Sequence, residues 1–278
     1  MRISLAHSPD SDDAFMFYGL ARGRVEADGL EIVHTLADIE TLNRDAEHGR
    51  HEVTAISFHA YPYVADRYAL MPCGGSIGDG YGPLLVSRDR LEAQALGNPA
   101  LTVAVPGERT TAYLALRLLA PAITTRVVPF DRILDEVGDG RADLGLVIHE
   151  GQLTYGGRGL HRVLDLGAWW KQETSLPLPL GGNAVRRDLG AVVMARLTRL
   201  VRETVRYSLA HRREALEYAM SFARGMDPAV ADRFVGMWVN DMTVDCGERG
   251  RRAVQVLLDR GHAAGVIPRR VTAEFVEA

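Results

Sequence analysis

Several short stretches of this sequence could do chemistry. His149 closes the run Leu144-Gly145-Leu146-Val147-Ile148. An unbroken, mostly aliphatic run marks a strand buried on both faces, as in a parallel sheet. Ligands of open α/β sheets bind outside the carboxyl ends of the strands, so His149 stands at the rim of an expected crevice. Histidine titrates near neutrality and is the natural general base there; a strand-end histidine that only bonds a loop is the alternative. The stretch Val105-Pro106-Gly107-Glu108-Arg109-Thr110-Thr111-Ala112-Tyr113 reads as a strand, a glycine turn and a helix start. Unpaired N–H groups in a first helical turn, together with the dipole, favour an anion, and Thr110 and Thr111 add hydroxyls. The Gly-Lys-Ser/Thr ending of a triphosphate loop is missing, so a carboxylate fits better; a plain threonine cap is the alternative. Ala55-Ile56-Ser57 ends another strand and presents Ser57 at the same rim. No Gly-x-Ser-x-Gly elbow surrounds it, so hydrogen bonding is its expected role, with an ordinary helix cap as the alternative.

Other clusters are less specific. Asp10, Asp12 and Asp13 follow the first strand, but their spacing is not that of a calcium loop. Asp12 or Asp13 capping the next helix is the simpler reading. Trp169-Trp170, followed by Leu176-Pro177-Leu178-Pro179-Leu180-Gly181-Gly182, could wall a pocket for a flat ring; core packing is the equal alternative. Lys171 is the sole lysine. It sits on an expected helix surface, which argues against Schiff-base chemistry.

These residues need elements to hold them. Strands are expected at Ile3–His7, Leu30–Leu36, Val53–Ser57 and Pro83–Ser87, with helices at Asp13–Arg22 and from Asp38 to about Glu47. Gly74 to Gly82 reads as a flexible, glycine-dense loop. Between about 100 and 150 the pattern is β-α-β-α-β with short links, which gives a parallel sheet covered by helices. Leu160–Leu166 and Pro179–Val185 look extended. From Asp188, the expected cap of a long helix, only helical segments follow: to about His211, Arg213–Arg224, Ala229–Val239 and Glu248 to about Ala263. The fold class is therefore α/β with two lobes. Residues 1–88 plus 188–278 form the larger lobe, and 89–187 the smaller.

Composition sets the outer limits. The 278 residues are 47% hydrophobic and 24% charged, with a net charge of −4. That supports a proper core and makes nucleic acid an unsuitable partner. Cys73 and Cys246 are far apart and form no C-x-x-C pattern, so neither a disulfide framework nor a zinc site is expected. No run reaches the ~18 apolar residues of a membrane span. Acidic residues follow the first strand at once, where a signal peptide would need an apolar core, so a cytoplasmic location is expected.

Taken in order, these segments resemble the menaquinone-biosynthesis enzymes of the futalosine route, and more closely the 1,4-dihydroxy-6-naphthoate synthase branch. The resemblance rests on Ser8-Pro9 with Phe15-x-Phe17-Tyr18, Glu40-Thr41-Leu42-Asn43, Val105-Pro106-Gly107 with Thr110-Thr111-Ala112-Tyr113, and Ile148-His149-Glu150. Asp165-Leu166-Gly167-Ala168-Trp169-Trp170, Leu176-Pro177-Leu178-Pro179-Leu180-Gly181 and Val239-Asn240 continue it. It implies a two-lobed fold like that of periplasmic solute-binding proteins (type II), with a double crossover. It also implies a lyase that converts cyclic dehypoxanthinyl futalosine into 1,4-dihydroxy-6-naphthoate without metal or organic cofactor. Carried over by residue, the proton-abstracting base falls on His149. Contacts to a small-molecule carboxylate substrate fall on Asn43, on Ala55, Ile56 and Ser57, and on Thr110, Thr111 and Ala112. Where such enzymes often have Pro-Asn-Asp, this chain has Ser11-Asp12-Asp13. Chorismate dehydratase of the same route, or a solute-binding protein for a small organic acid, is the competing assignment.

Overall fold

The computed structural model describes residues 1–222 and 227–277. The chain begins β1 (Arg2–His7), α1 (Ser11–Ala21), β2 (Glu31–Leu36), α2 (Ile39–Glu47) and β3 (Val53–Ser57). A single 3-10 turn, Phe58–Ala60, leads into α3 (Tyr61–Val64), and β4 (Tyr68–Leu70) and β5 (Ser76–Gly78) follow. The second lobe takes β6 (Leu84–Ser87), β7 (Thr102–Val105), α4 (Thr111–Leu119), β8 (Thr124–Val127), α5 (Ile133–Gly138), β9 (Leu144–Val147), α6 (Gly151–Thr154) and β10 (His161–Asp165). The chain returns through α7 (Leu166–Thr174) and β11 (Leu178–Arg186). It ends in α8 (Ala191–Ala210), α9 (Arg212–Met220), α10 (Pro228–Trp238), α11 (Asp241–Val244) and α12 (Gly247–Ala263).

Two sheets result. The first runs β2-β1-β3-β11-β4, with β5 also paired to β11; the second runs β10-β6-β9-β7-β8. β1, β2 and β3 are parallel, as are β7, β8 and β9, because helical crossovers join them. β11 and β6 enter antiparallel. The carboxyl ends of β1 and β3 in one sheet, and the start of α4 after β7 in the other, come together at one cavity. The alternation expected around the buried run is present: Leu144, Leu146 and Val147 of β9 are fully buried.

Strand pairing moves the lobe boundaries expected at 88 and 187. Leu84–Ser87 bonds to β9 in the second sheet, whereas Leu178–Arg186 bonds to β3 in the first. The crossovers therefore lie between β5 and β6 and between α7 and β11. The glycine-dense stretch from Gly74 is not all loop, since Ser76–Gly78 pairs with β11. The long helix is capped at Gly190 rather than Asp188, whose carboxylate instead pairs with Arg186 at 2.7 Å. The next helix ends at Met220, and Arg224, its expected end, lies outside the described residues. Late in the chain Phe275 forms an isolated bridge with Leu70.

The lobes share one core. A single apolar cluster runs from Ile56 and Leu70 through Leu114 of α4 and Leu257 of α12 to Val103 and Leu144. The crossovers touch closely as well. A Cβ on Gly167 would overlap the Tyr81 carbonyl, and Lys171 pairs with Asp79. Backbone cannot yield as a side-chain tip can. Gly167→Ala should therefore cost about 1–3 kcal/mol or more in urea unfolding, although alanine is the better helix former. Gly156, with nothing within 4 Å of an added Cβ, should change by less than about 0.5 kcal/mol on Gly156→Ala. Equal stabilities for the two variants would contradict this packing.

Candidate active site

The cavity lies where the two sheets meet. Its second-lobe wall is the start of α4. Thr110 is the N-cap: its Oγ1 accepts from the Tyr113 N–H at 3.2 Å and donates to the Gly107 carbonyl at 2.8 Å. The Thr110 carbonyl takes the Leu114 N–H. The N–H groups of Thr111 and Ala112 have no place in the helix ladder, and both residues line the cavity. Unpaired N–H groups at a helix start favour an anion. Thr110's hydroxyl is used within the cap, so Thr111 supplies the hydroxyl that remains.

The first-lobe wall carries Ala55, Ile56 and Ser57 at the end of β3, with Leu180, Gly181 and Gly182 of β11 beside them. Asn43 is not part of the wall. It is fully buried and clamps Ser57, donating to its Oγ at 3.0 Å and accepting its N–H at 2.8 Å. The lobes meet at the turn before α4. The Arg109 N–H donates to Glu40 Oε2 at 3.0 Å, and its guanidinium bonds Glu47 at 3.0 Å and lies 3.7 Å from the centre of the Tyr63 ring. A Cβ on Gly107 would overlap the Glu40 carboxylate, so only glycine lets α2 approach this turn.

His149 is where the strand reading placed it, just past β9, and it is buried. Ile148 lines the cavity, while the imidazole turns to backbone. Its Nε2 lies 2.9 Å from the Phe130 carbonyl, and its Nδ1 accepts the Gly151 N–H at 3.0 Å. A carbonyl only accepts, so the ring carries its proton on Nε2. Glu150 Oε2 stands 3.7 Å from Nδ1. Both ring nitrogens thus meet backbone, and His149, unlike Ile148, is not among the residues that line the cavity.

The opposite charge pattern lies at the start of α1. Asp10, Asp12 and Asp13 all line the cavity. Asp10, not Asp12 or Asp13, occupies the N-cap position, and its side chain makes no cap bond. Asp13 Oδ2 instead accepts the Ser8 N–H at 2.8 Å. Burial, then the charges of Asp13 and Asp10, push Asp12 well above the usual carboxylate range. Burial, partly offset by the Ser8 N–H, pushes Asp13 up to about 7. Among the described residues no three His, Cys, Asp or Glu side chains converge as a metal site.

Some wall residues carried no local signal. Phe234 and Trp238 of α10 supply aromatic surface, and of the two readings of Trp169-Trp170 core packing is the one that Trp170 follows. Trp170 is fully buried in the core, its indole N–H donating to the Pro177 carbonyl at 3.0 Å. Only the Leu180-Gly181-Gly182 end of that segment reaches the cavity.

Asp13 makes stability depend on pH in a definite direction. Its folded-state affinity for a proton exceeds that of an unfolded aspartate, which titrates near about 4. Its contribution is therefore full below about 4 and is lost as pH rises through about 7. Asp13→Asn keeps an oxygen for the Ser8 N–H and does not titrate. Its melting temperature should gain on the wild type between pH 5 and 8. Parallel melting curves for both proteins across that range would show that Asp13 ionises normally.

Known proteins place the chain. Residues 3–263 match the menaquinone biosynthesis family. A 1,4-dihydroxy-6-naphthoate synthase of Streptomyces coelicolor is 43% identical over 273 residues, covering 96% of this chain and 95% of that one. One from Thermus thermophilus is 44% identical over 264 residues, covering 95% of each. The fold is similar to a crystal structure of an Archaeoglobus fulgidus protein, with TM-score 0.91, 45% identity, and 96% and 98% of the two chains covered. It is also similar to the alkanesulfonate-binding protein SsuA of Xanthomonas axonopodis, with TM-score 0.73 over 98% and 96% of the chains. At 12% identity the latter likeness concerns the fold alone. The two-lobed architecture is thus that of the periplasmic binding proteins, and the chain belongs to the menaquinone biosynthesis family.

Proposed function

We propose that this chain is a 1,4-dihydroxy-6-naphthoate synthase, a carbon–carbon lyase acting on cyclic dehypoxanthinyl futalosine. The observation that carries the reading is the polarity of the cavity, in a chain 43–44% identical to two synthases of that name. One group of wall residues offers the Thr111 and Ala112 N–H groups and the Ser57 and Thr111 hydroxyls; another offers three aspartates. A substrate carboxylate is favoured by the first group and repelled by the second. Hydroxyls of a sugar-derived fragment suit the second, where carboxylates accept and protonated carboxyls donate. Phe234 and Trp238 offer aromatic surface to the ring system.

His149 is the proposed base. Its Nδ1 lone pair faces the Gly151 N–H, so it takes a substrate proton only after the ring swings from backbone toward the cavity that Ile148 lines. Catalytic hydrogen bonds often form only in the substrate complex. Asp13, near neutrality on the cavity wall, is placed to exchange a proton with the departing fragment.

The direct test supplies the purified protein with cyclic dehypoxanthinyl futalosine or with chorismate, with no cofactor added. The naphthoate should appear from the first and nothing from the second. Dehydration of chorismate, or tight binding without turnover, would replace this reading by one of its competitors. His149→Asn should lower kcat by ~10²–10⁴-fold, the usual loss for a general base. Near-normal turnover in that variant, with turnover abolished in Asp13→Asn, would assign the base to Asp13.

A further inference from the structure

Two hydroxyls in the cavity wall, those of Ser57 and Thr111, are buried. Each receives a hydrogen bond from a residue outside the wall, and neither donates one among the described residues. Ser57 is clamped by Asn43. A backbone N–H can only donate, so the Asn43 oxygen must face Ser57 N. Its nitrogen must then face Ser57 Oγ and, at 3.4 Å, the Arg109 carbonyl. On the other wall the His59 N–H donates to Thr111 Oγ1 at 3.1 Å, and its ring Nδ1 lies 3.2 Å from the Thr110 carbonyl. The carbonyl requires the proton on Nδ1. Burial holds the His59 pKa down to about 4, so the ring stays neutral. A hydroxyl has one proton and two acceptor sites. With an N–H already aimed at each oxygen, each hydroxyl proton is left for the cavity.

We propose that Asn43 and His59 are positioning residues: by donating to Ser57 and Thr111 they commit both hydroxyl protons to one ligand carboxylate. One of these bonds crosses the lobes, and Asn43 makes a further contact that does. His59 belongs to the first lobe and Thr111 to the second, while Asn43 reaches from the first lobe to Arg109 of the second. The four donors of the cavity wall therefore share one orientation only while the lobes are docked. This assigns Asn43 a role behind the wall rather than in contact with substrate. It rests on the reading of the cavity as a carboxylate site.

The test uses the full-length protein and two probes, 1,4-dihydroxy-6-naphthoate and 2-naphthoate, with calorimetric Kd as the readout and melting temperature as the control. Ser57→Ala should weaken both probes by roughly tenfold, the loss expected for one hydrogen bond to a charged acceptor. Asn43→Leu should weaken them by a similar factor. In the Ser57→Ala background, Asn43→Leu should lower the melting temperature further yet change Kd by less than about twofold, because the hydroxyl it orients is gone. Full additivity in Kd, or no effect of Asn43→Leu alone, would overturn the proposal. If Asn43→Leu does not fold, Asn43→Asp keeps the acceptor for the Ser57 N–H. Its ionised form draws back the Ser57 proton, so its Kd should rise with pH; wild-type affinity from pH 6 to 9 would overturn the proposal equally. Binding of 2-naphthoate with these sensitivities, without turnover of the cyclic substrate, would retain the positioning role and remove the proposed reaction. A wild type that binds neither probe would remove the carboxylate site and the proposal together.

Discussion

The site depends on one piece of docking: the turn before α4 set against α2 and the end of β3. Gly107 permits the approach, Glu40 takes the Arg109 N–H, and Asn43 reaches the Arg109 carbonyl. Glu40 is held above the usual carboxylate range by burial, and the Arg109 N–H partly offsets this. A buried acceptor without its donor is costly, so this contact tolerates little slippage. Through it the free N–H groups of α4, which belong to one sheet, come to face Ser57, which belongs to the other. The common core through Leu114 and Leu257 supports the same arrangement from behind.

Polarity follows from the backbone. The helix start is a donor surface because its first N–H groups have no ladder partners. The opposite helix start, at α1, would attract anions too, but Asp10, Asp12 and Asp13 occupy it with their own carboxyls. Two helix N-termini thus face one cavity with opposite character. The difference comes from side chains, threonines on one and aspartates on the other.

Much of this was legible in local sequence. The apolar run before His149, the Gly107 turn and the Thr110 cap are short-range signals, and the elements they implied are present. Asp38 caps α2, accepting the Thr41 N–H at 3.1 Å. What escaped was set by pairing between distant strands. Ser76–Gly78 reads as loop because three residues between glycines show no period; only β11 makes them a strand. The lobe boundaries failed for the same reason, since Leu84–Ser87 and Leu178–Arg186 look alike as extended runs and only their partners separate them. Phe234 and Trp238 lie on an amphipathic helix where aromatic residues usually mean core, and nothing local shows that they border a cavity. Asn43 was linked to the site through its motif, but its place behind Ser57 is a tertiary fact. The tautomer of His149, fixed by Phe130 and Gly151, is another.

The central claim is that the carboxylate binds at the α4 start and Ser57 rather than beside the aspartates. A crystal structure of the protein with 1,4-dihydroxy-6-naphthoate measures this most directly. The account predicts the carboxylate oxygens at about 2.7–3.2 Å from the Thr111 and Ala112 amide nitrogens and the Ser57 and Thr111 hydroxyls, with the ring against Phe234 and Trp238. A carboxylate found beside Asp10, Asp12 and Asp13, or outside the cavity, would contradict it.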